Sequence, residues 1–420
     1  MTEMTDVLVI GGGYAGAMAA NRLTLSDDVA VTLINPRPNF VERIRLHQLV
    51  GGSDDAVVDY GEVLAERIRL VVDTVTRIDA PGRRVMLSTG GTVGYDYLIY
   101  AVGSTSTDRG VPGAAEFAYP VATLETAQRL RRVLDAAPMA APVTVVGAGP
   151  LGIEAAAELA ELGRAVTLIC GEVLGPYLHP RGRRSVAKRL AKLGVTVLEG
   201  PNATVTDVRS DAVQLSNGRE LPSEVTIWAG GFGVPDLAAR SGLSTDAEGR
   251  LLTDETLASV DDERIVAAGD SAAPSDLPLR MSCQAAGPLG AHAADTVLSN
   301  IAGEQAAPIA EGFYGQCVSL GRQAGIFQFA HGNDVARGLH IGGRLGAKIK
   351  EVICGSTIKG LTREARKPGS FKWHAKDDKR RQLLQAKHSE TPALAEPDRL
   401  VLDPKPHTPQ ECPRDARRSA

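Results

Sequence analysis

The strongest constraint on this chain is a pattern that occurs twice: a short apolar run, a glycine-rich turn and a helical stretch. Asp6–Ile10 leads into Gly11-Gly12-Gly13-Tyr14-Ala15-Gly16, and Val143–Val146 leads into Gly147-Ala148-Gly149-Pro150-Leu151-Gly152. Both turns read GxGxxG. Tyr14–Ser26 and Leu151–Leu162 carry helical patterns, and Val29–Ile34 and Ala165–Ile169 read as the strands that follow. Strands alternating with helices predict parallel sheets, because only a crossover returns the chain to start a parallel neighbour. In such a turn the first glycine makes the tight bend and the second lets the backbone approach a pyrophosphate. The third lets helix and strand pack closely, while the helix N-terminus offers N–H groups to the phosphates. The sequence therefore encodes an α/β fold with two Rossmann-like dinucleotide-binding units.

The acidic residue that usually ends the second strand of such a unit is missing from both. Asn35, followed by Pro36 and Arg37, stands in the first, and Cys170 in the second. Glu172 lies two residues beyond Cys170, with Arg181, Arg183 and Arg184 further on. A carboxylate would favour NADH and an arginine would accommodate the 2′-phosphate of NADPH, so preference between them stays open. Arg69–Arg77, Val85–Ser88 and Tyr95–Tyr100 read as strands between the units. Thr196–Glu199, Val213–Leu215 and Val225–Trp228 read as strands after the second. From His374 onward prolines and charges replace apolar periodicity, which predicts a disordered tail over 374–420; Gln382–Lys387 alone carries a short helical pattern.

Composition closes off several alternatives. At 420 residues the chain is long enough for two or three domains. A net charge of −4 and 4% aromatic residues argue against a nucleic-acid binder, which needs basic surface and stacking platforms. The five cysteines are scattered without a CxxC pair, so neither a disulfide framework, a zinc site nor a paired-thiol relay is expected, and no metal is assigned. Met1–Asp6 are polar and acidic and no apolar run has membrane-spanning length. No secretory leader is expected, and the expected setting is cytoplasmic.

Three further stretches join the two units into a family pattern. They are Tyr95-Asp96-Tyr97-Leu98-Ile99-Tyr100-Ala101-Val102-Gly103-Ser104, Ile227-Trp228-Ala229-Gly230-Gly231 and Arg264-Ile265-Val266-Ala267-Ala268-Gly269-Asp270. In this order, over residues 5–305, the chain resembles the flavoproteins with two dinucleotide-binding domains. Within them it is most similar to type II NADH dehydrogenases and apoptosis-inducing-factor-like oxidoreductases. The resemblance implies a discontinuous FAD domain (1–114 and 250–305), an NAD(P)H domain (115–249) and a C-terminal segment (306–373). It implies FAD contacts at Gly11, Gly13, Tyr14, Ala15, Gly16, Val75, Ala101, Gly103 and Gly269. Asp270 would bond the ribityl hydroxyls, with Asn35 or Arg37 near the adenosine. On the second unit NADH or NADPH would meet Gly147, Gly149, Leu151, Gly152, Cys170 and Gly231, with Glu154 near the nicotinamide amide.

The resemblance also implies a helix after Leu279 whose N-terminus points at the flavin. Type II dehydrogenases resemble AQxAxQ there, and the second glutamine helps shape a quinone site. This chain keeps Gln284 but has Pro288 in the second position. Glu154 and Gln284 are thus the expected catalytic residues. His47 and Arg45 are weighed equally as acceptor contacts and as packing residues. Arg344–Arg366 mixes apolar and basic residues and is expected either to contact a membrane or to pack on the FAD domain as a helix pair, since Gly355 and Gly360 interrupt it. The expected activity is NAD(P)H:acceptor oxidoreduction. Quinone is the leading acceptor, a small carrier protein the second, and NAD(P)H sensing through a partner the third. A peripheral location on the inner face of the cell membrane and a homodimer are left open.

Overall fold

The computed structural model describes residues 4–390. Two five-stranded parallel sheets organise the body, and they repeat one plan. The first runs Ile265–Ala267, Tyr97–Tyr100, Thr5–Ile10, Val29–Asn35, Arg69–Val72. The second runs Ala118–Pro120, Val225–Trp228, Val143–Val146, Val166–Ile169, Thr196–Leu198. The strands Val143–Val146, Val225–Trp228 and Ile265–Ala267 are buried at every position, as strands covered on both faces must be. Each sheet carries its own three-stranded antiparallel meander, Val75–Asp79 to Thr92–Gly94 and Val205–Val208 to Glu220–Pro222.

The strand expected over Arg69–Arg77 is divided. Arg69–Val72 belongs to the parallel sheet and Val75–Asp79 to the meander. Asp73 makes the break: its carboxylate accepts Ser88 Oγ at 2.5 Å, Thr89 Oγ1 at 2.6 Å and the Thr74 N–H at 2.6 Å. A side chain satisfied by the meander in this way redirects the backbone where the apolar pattern alone reads straight through.

A third sheet, Gly315–Ser319, Gly325–Ala330 and Ala336–Gly342, delivers the chain to the helix Gly343–Arg366. That helix is continuous for 24 residues, which corrects the interrupted pair expected from its glycines. A helical glycine costs about 1 kcal/mol relative to alanine, and packing outweighs it here. Gly360 seats against the ring of Phe371, Gly346 lets the helix meet the Gly325 carbonyl, and Leu361 joins the core packed on the first parallel sheet. Arg22 ties the helix down through Glu364 Oε1 at 3.2 Å.

The expected change to a disordered tail at His374 is not observed either. The Lys376 backbone pairs with that of Glu311 in an isolated antiparallel β-bridge, the buried Arg380 grips Glu255 at 2.7 and 2.8 Å, and the first compact unit ends at Arg380. The helix Arg380–Glu390 follows and contains the short helix expected at Gln382–Lys387. The rest of the expected tail lies outside the described residues.

Candidate functional site

The two glycine turns are geometric copies. Gly11 and Gly147 have φ of +97° and +104°, a region closed to most side chains. A Cβ on either would fall onto a carbonyl of the neighbouring strand, that of Ala101 or of Ala229. A Cβ on Gly16 or Gly152 would fall onto the carbonyl oxygen of the first glycine of its own turn. The middle glycines differ from both. Gly13 and Gly149 have ordinary φ of −76° and −69°, and a Cβ there would meet no protein atom within 4 Å. Each also stands at the N-cap of its helix, Tyr14–Leu23 or Pro150–Glu161, without a side-chain cap. The free space, the helix N–H groups and the positive end of the helix dipole coincide, which is the arrangement that holds a pyrophosphate.

Around the first turn the chain supplies its own fixings. Asn35 Oδ1 accepts the Gly12 N–H at 3.0 Å while its Nδ2 donates to the Arg37 carbonyl at 2.8 Å. Tyr60 Oη donates to the Gly12 carbonyl at 2.8 Å. Asn35, expected like Arg37 near the adenosine, therefore spends its carboxamide on holding the turn, and Arg37 is in a two-point pair with Glu125 (2.5 and 2.7 Å). Tyr14 is buried edge-on to Phe40, with ring centroids 5.1 Å apart. Ala101 directly follows the adjacent strand Tyr97–Tyr100, Val75 is buried where the meander starts, and Gly103 and Gly269 hold φ of +71° and +69°. Asp270 Oδ1 accepts the Ser282 N–H at 3.0 Å, Oδ2 accepts Ser104 Oγ at 2.7 Å, and Arg43 lies 3.8 Å away. Ser282 caps the helix Cys283–Ala302. Asp270 is thereby fixed at the N-terminus of that helix, which packs on the first glycine helix through Gly290 against the Ala15 backbone.

Around the second turn, Leu151 is half-buried in its helix. Cys170 closes the second strand with its thiol pushed up to about 12 by burial, so it is no nucleophile at neutral pH. The loop beyond it folds back, the Gly175 N–H donating to the Ala148 carbonyl at 3.1 Å. Glu172 is exposed just past Cys170. Gly231 sits against the Arg109 side chain, whose Nε donates to the Gly230 carbonyl at 2.9 Å.

Glu154 lies one turn inside the second glycine helix and is buried. Its Oε1 accepts Lys350 Nζ at 2.8 Å and the Ser319 N–H at 2.9 Å, and its Oε2 lies 3.6 Å from His47 Nδ1. Burial alone would push its pKa up, but the Lys350 ammonium and the Ser319 N–H hold it below the ordinary carboxylate range. Three segments remote in sequence thus meet at one carboxylate. Sequence reasoning read Lys350 only as one of the basic residues of Arg344–Arg366 and missed Ser319. One signal was available: Gly346, Lys350, Cys354 and Leu361 are buried along one stripe of their helix, so Lys350 is a charge in the apolar phase.

Gln284, the other expected catalytic residue, bonds the chain at both ends. Its Nε2 donates to the Gly315 carbonyl at 3.0 Å and its Oε1 accepts the Tyr314 N–H at 2.8 Å. Pro288, one turn on, is buried and brings no N–H. Gln284→Ala should therefore act first on stability. Leaving two backbone groups unpaired should cost about 1–3 kcal/mol for each that stays buried, read as a lower melting temperature of the FAD-loaded protein. An unchanged melting temperature with lost turnover would return the residue to a direct chemical role.

Comparison with known proteins fits this geometry. The family model described as pyridine nucleotide-disulphide oxidoreductase matches residues 5–294. An NADH dehydrogenase-like protein of Mycobacterium tuberculosis is 31% identical over 354 residues, covering 77% of this chain and 88% of that one. A type II NADH:quinone oxidoreductase of Staphylococcus haemolyticus is 25% identical over 388 residues, covering 84% and 94%. Among solved structures, the sulfide:quinone oxidoreductase of Aquifex aeolicus superposes with a TM-score of 0.72 at 21% identity, covering 86% and 92%.

Proposed function

The chain belongs to the pyridine nucleotide-disulphide oxidoreductase family, and on that premise we propose that it is an FAD-dependent NAD(P)H:quinone oxidoreductase. The observation that carries this reading is the pair of open glycine cradles, one per sheet, each with its middle glycine facing free space. The first cradle fits FAD: Gly13 would meet the pyrophosphate, Asp270 would bond the ribityl chain, and the Cys283–Ala302 helix would offer its positive end to the ring. The second fits NADH or NADPH, with Gly149 at the pyrophosphate and Gly231 and Glu154 on the side of the nicotinamide. FAD, when bound, supplies the chemistry of accepting hydride and releasing its two electrons onward.

The residues present do the positioning. The helix N-termini would hold both phosphate groups, the Asn35 and Tyr60 bonds fix the first turn, and the Asp270–Ser282 bond sets the start of the helix that would face the flavin. Orientation of this kind is the protein's main contribution when the cofactors carry the electrons.

Quinone as acceptor is supported by the named activity of the Staphylococcus haemolyticus relative. It is also supported by the stretch 335–352, in which Val335, Leu339, Leu345 and Val352 are exposed, as are Arg337, Arg344 and Lys348. Exposed apolar side chains interspersed with cations suit the anionic inner face of a membrane, where quinones reside. Among the described residues no helix is long and apolar enough to cross a membrane, so the contact proposed is peripheral. A carrier protein is the second reading, favoured because the Gln284 carboxamide is occupied and Pro288 offers no donor to a quinone carbonyl.

Gly149→Val tests the assignment of the two cradles. The variant should fold, stay yellow with FAD and lose reduction by NAD(P)H, seen as failure of the flavin absorbance to bleach in anaerobic stopped flow. Reduction at the wild-type rate would overturn the assignment. A panel of short-chain quinones against a carrier protein, run on the wild type, then decides the acceptor.

A further inference from the structure

The helix Gly343–Arg366 begins with its charges set against its own dipole. The N-terminal end of a helix is positive and favours carboxylates. Here the first turn holds no acidic residue, Gly342 gives no side-chain cap, and Arg344 stands in that turn with Lys348 four residues on. Like charges at that spacing are neighbours and repel. Both side chains are exposed, and neither has a carboxylate partner among the described residues. The packing of the chain gives no reason for them to be there.

Both cations line one cavity of about 450 Å³, together with Arg322 and Lys350. Lys350 Nζ is answered by Glu154 at 2.8 Å. Glu351, the carboxylate on the cavity wall, is shared: its Oε1 lies 2.6 Å from Arg45 Nη1 and its Oε2 lies 3.5 Å from Arg322 Nη2. Arg344 and Lys348 are left as two unanswered positive charges on the wall. The cavity is separate from the second glycine cradle. The Arg322 N–H bonds Glu161, at the far end of the Pro150–Glu161 helix whose first turn forms that cradle. The length of that helix puts the two ends roughly 16 Å apart.

We propose that this cavity binds an organic phosphate monoester, held at its phosphate by Arg344 and Lys348 with Arg322 alongside. Two unanswered positive charges call for a ligand with two negative ones. A phosphate monoester carries about −1.5 to −2 near pH 7 on three oxygens of one group. A phosphodiester carries a single charge, and a dicarboxylate divides its two between separate ends, whereas Arg344 and Lys348 stand one helical turn apart. The guanidinium forks and the ammonium match the phosphate oxygens with charge-assisted bonds. The volume suits a small organic molecule rather than a bare ion, since ligand cavities run about 300–1,000 Å³. Such a phosphate comes from one of two sources, a soluble metabolite or a lipid headgroup. In the second case Leu345 and Val352, exposed on the same helix, would meet the acyl region. Neither glycine cradle contributes a residue, so the site stands apart from the oxidoreductase reading.

The test uses the full-length protein with its FAD, and glycerol 3-phosphate as the soluble probe in titration calorimetry at low salt. Binding should saturate and strengthen as pH rises through about 6, where the second phosphate proton leaves. Arg344→Gln with Lys348→Gln should weaken it on the order of 10²-fold, as for loss of two charge-assisted bonds. Arg344→Lys with Lys348→Arg should keep most of it, and so should Gly149→Val, which leaves this cavity untouched. Without probe the glutamine pair should melt no lower than wild type, because it removes a repulsion. With probe only the wild type should gain melting temperature. Succinate should bind more weakly than glycerol 3-phosphate. Co-sedimentation with phosphatidylcholine vesicles identifies the source. For a lipid ligand, phosphatidic acid should hold the protein better than phosphatidylglycerol at matched charge, and glycerol 3-phosphate should release it. For a soluble ligand, the two lipids should not differ. The proposal is overturned if neither glycerol 3-phosphate nor phosphatidic acid binds saturably, or if the glutamine pair binds like wild type. Succinate binding as tightly would overturn the phosphate assignment, and loss of binding in Gly149→Val would move the phosphate to the nucleotide cradle.

Discussion

Gly13→Val should give a folded protein that has lost its FAD. The separation of these two effects is the point of the experiment. Gly13 has an extended backbone, φ −76° and ψ −165°, which valine adopts readily, and its Cβ would touch no protein atom within 4 Å. The fold therefore has no reason to object. The space the side chain would fill is the approach to the N-terminus of the Tyr14–Leu23 helix. Losing two charge-assisted bonds to phosphate there costs about 3–6 kcal/mol, or roughly 10²- to 10⁴-fold in affinity. Gly16→Val should behave in the opposite way. Its Cβ would fall onto the Gly11 carbonyl oxygen, so helix and strand would have to part, and the expected result is little soluble protein. The ratio of flavin to protein absorbance after gel filtration, with circular dichroism for the fold, reads both. Full FAD occupancy in Gly13→Val would remove the pyrophosphate from this turn.

The same contrast shows why the cradles were legible in the sequence and the buried cluster was not. A glycine turn is a local solution: three glycines at fixed spacing answer to a tight bend, a ligand and a helix within six residues. Both turns are accordingly found where their spacing places them. The strand–helix order is local in the same sense, and the two sheets follow from it. The Glu154 site has no such signature, because Glu154, Lys350, Ser319 and His47 come from four segments that only the tertiary fold unites. Asn35 and Gln284 show a related limit. Sequence marks them as polar groups at the right positions, but whether a carboxamide faces a ligand or the chain depends on neighbours such as Gly12 and Tyr314. The glycines of the Gly343–Arg366 helix misled for a different reason. Propensity is a small, local cost, and the packing that overrides it involves Phe371 and Gly325, which lie outside the helix.

Lys350→Met should produce a large loss of stability in the Glu154 cluster. The ammonium and its partner Glu154 are both buried, and they meet at 2.8 Å. Removing one member of a buried ion pair leaves the other without compensation, which typically costs about 3–5 kcal/mol. The pH dependence gives the loss a signature. In the wild type the Glu154 pKa lies below its unfolded value, so its contribution is present above about 4.3 and is lost as pH falls through the lowered value. Without Lys350 burial dominates and the carboxyl pKa rises above the unfolded value. The contribution then reverses: it is present below about 4.3 and is lost as pH climbs through the raised value. The gap in melting temperature between variant and wild type should therefore be wide near pH 8 and narrow toward pH 5. Glu154→Gln combined with Lys350→Met removes both charges and should recover most of the gap at pH 8, because no uncompensated charge then remains in the interior. A Lys350→Met protein as stable as wild type at pH 8, with no dependence on pH, would mean that the ammonium is not paired in the interior.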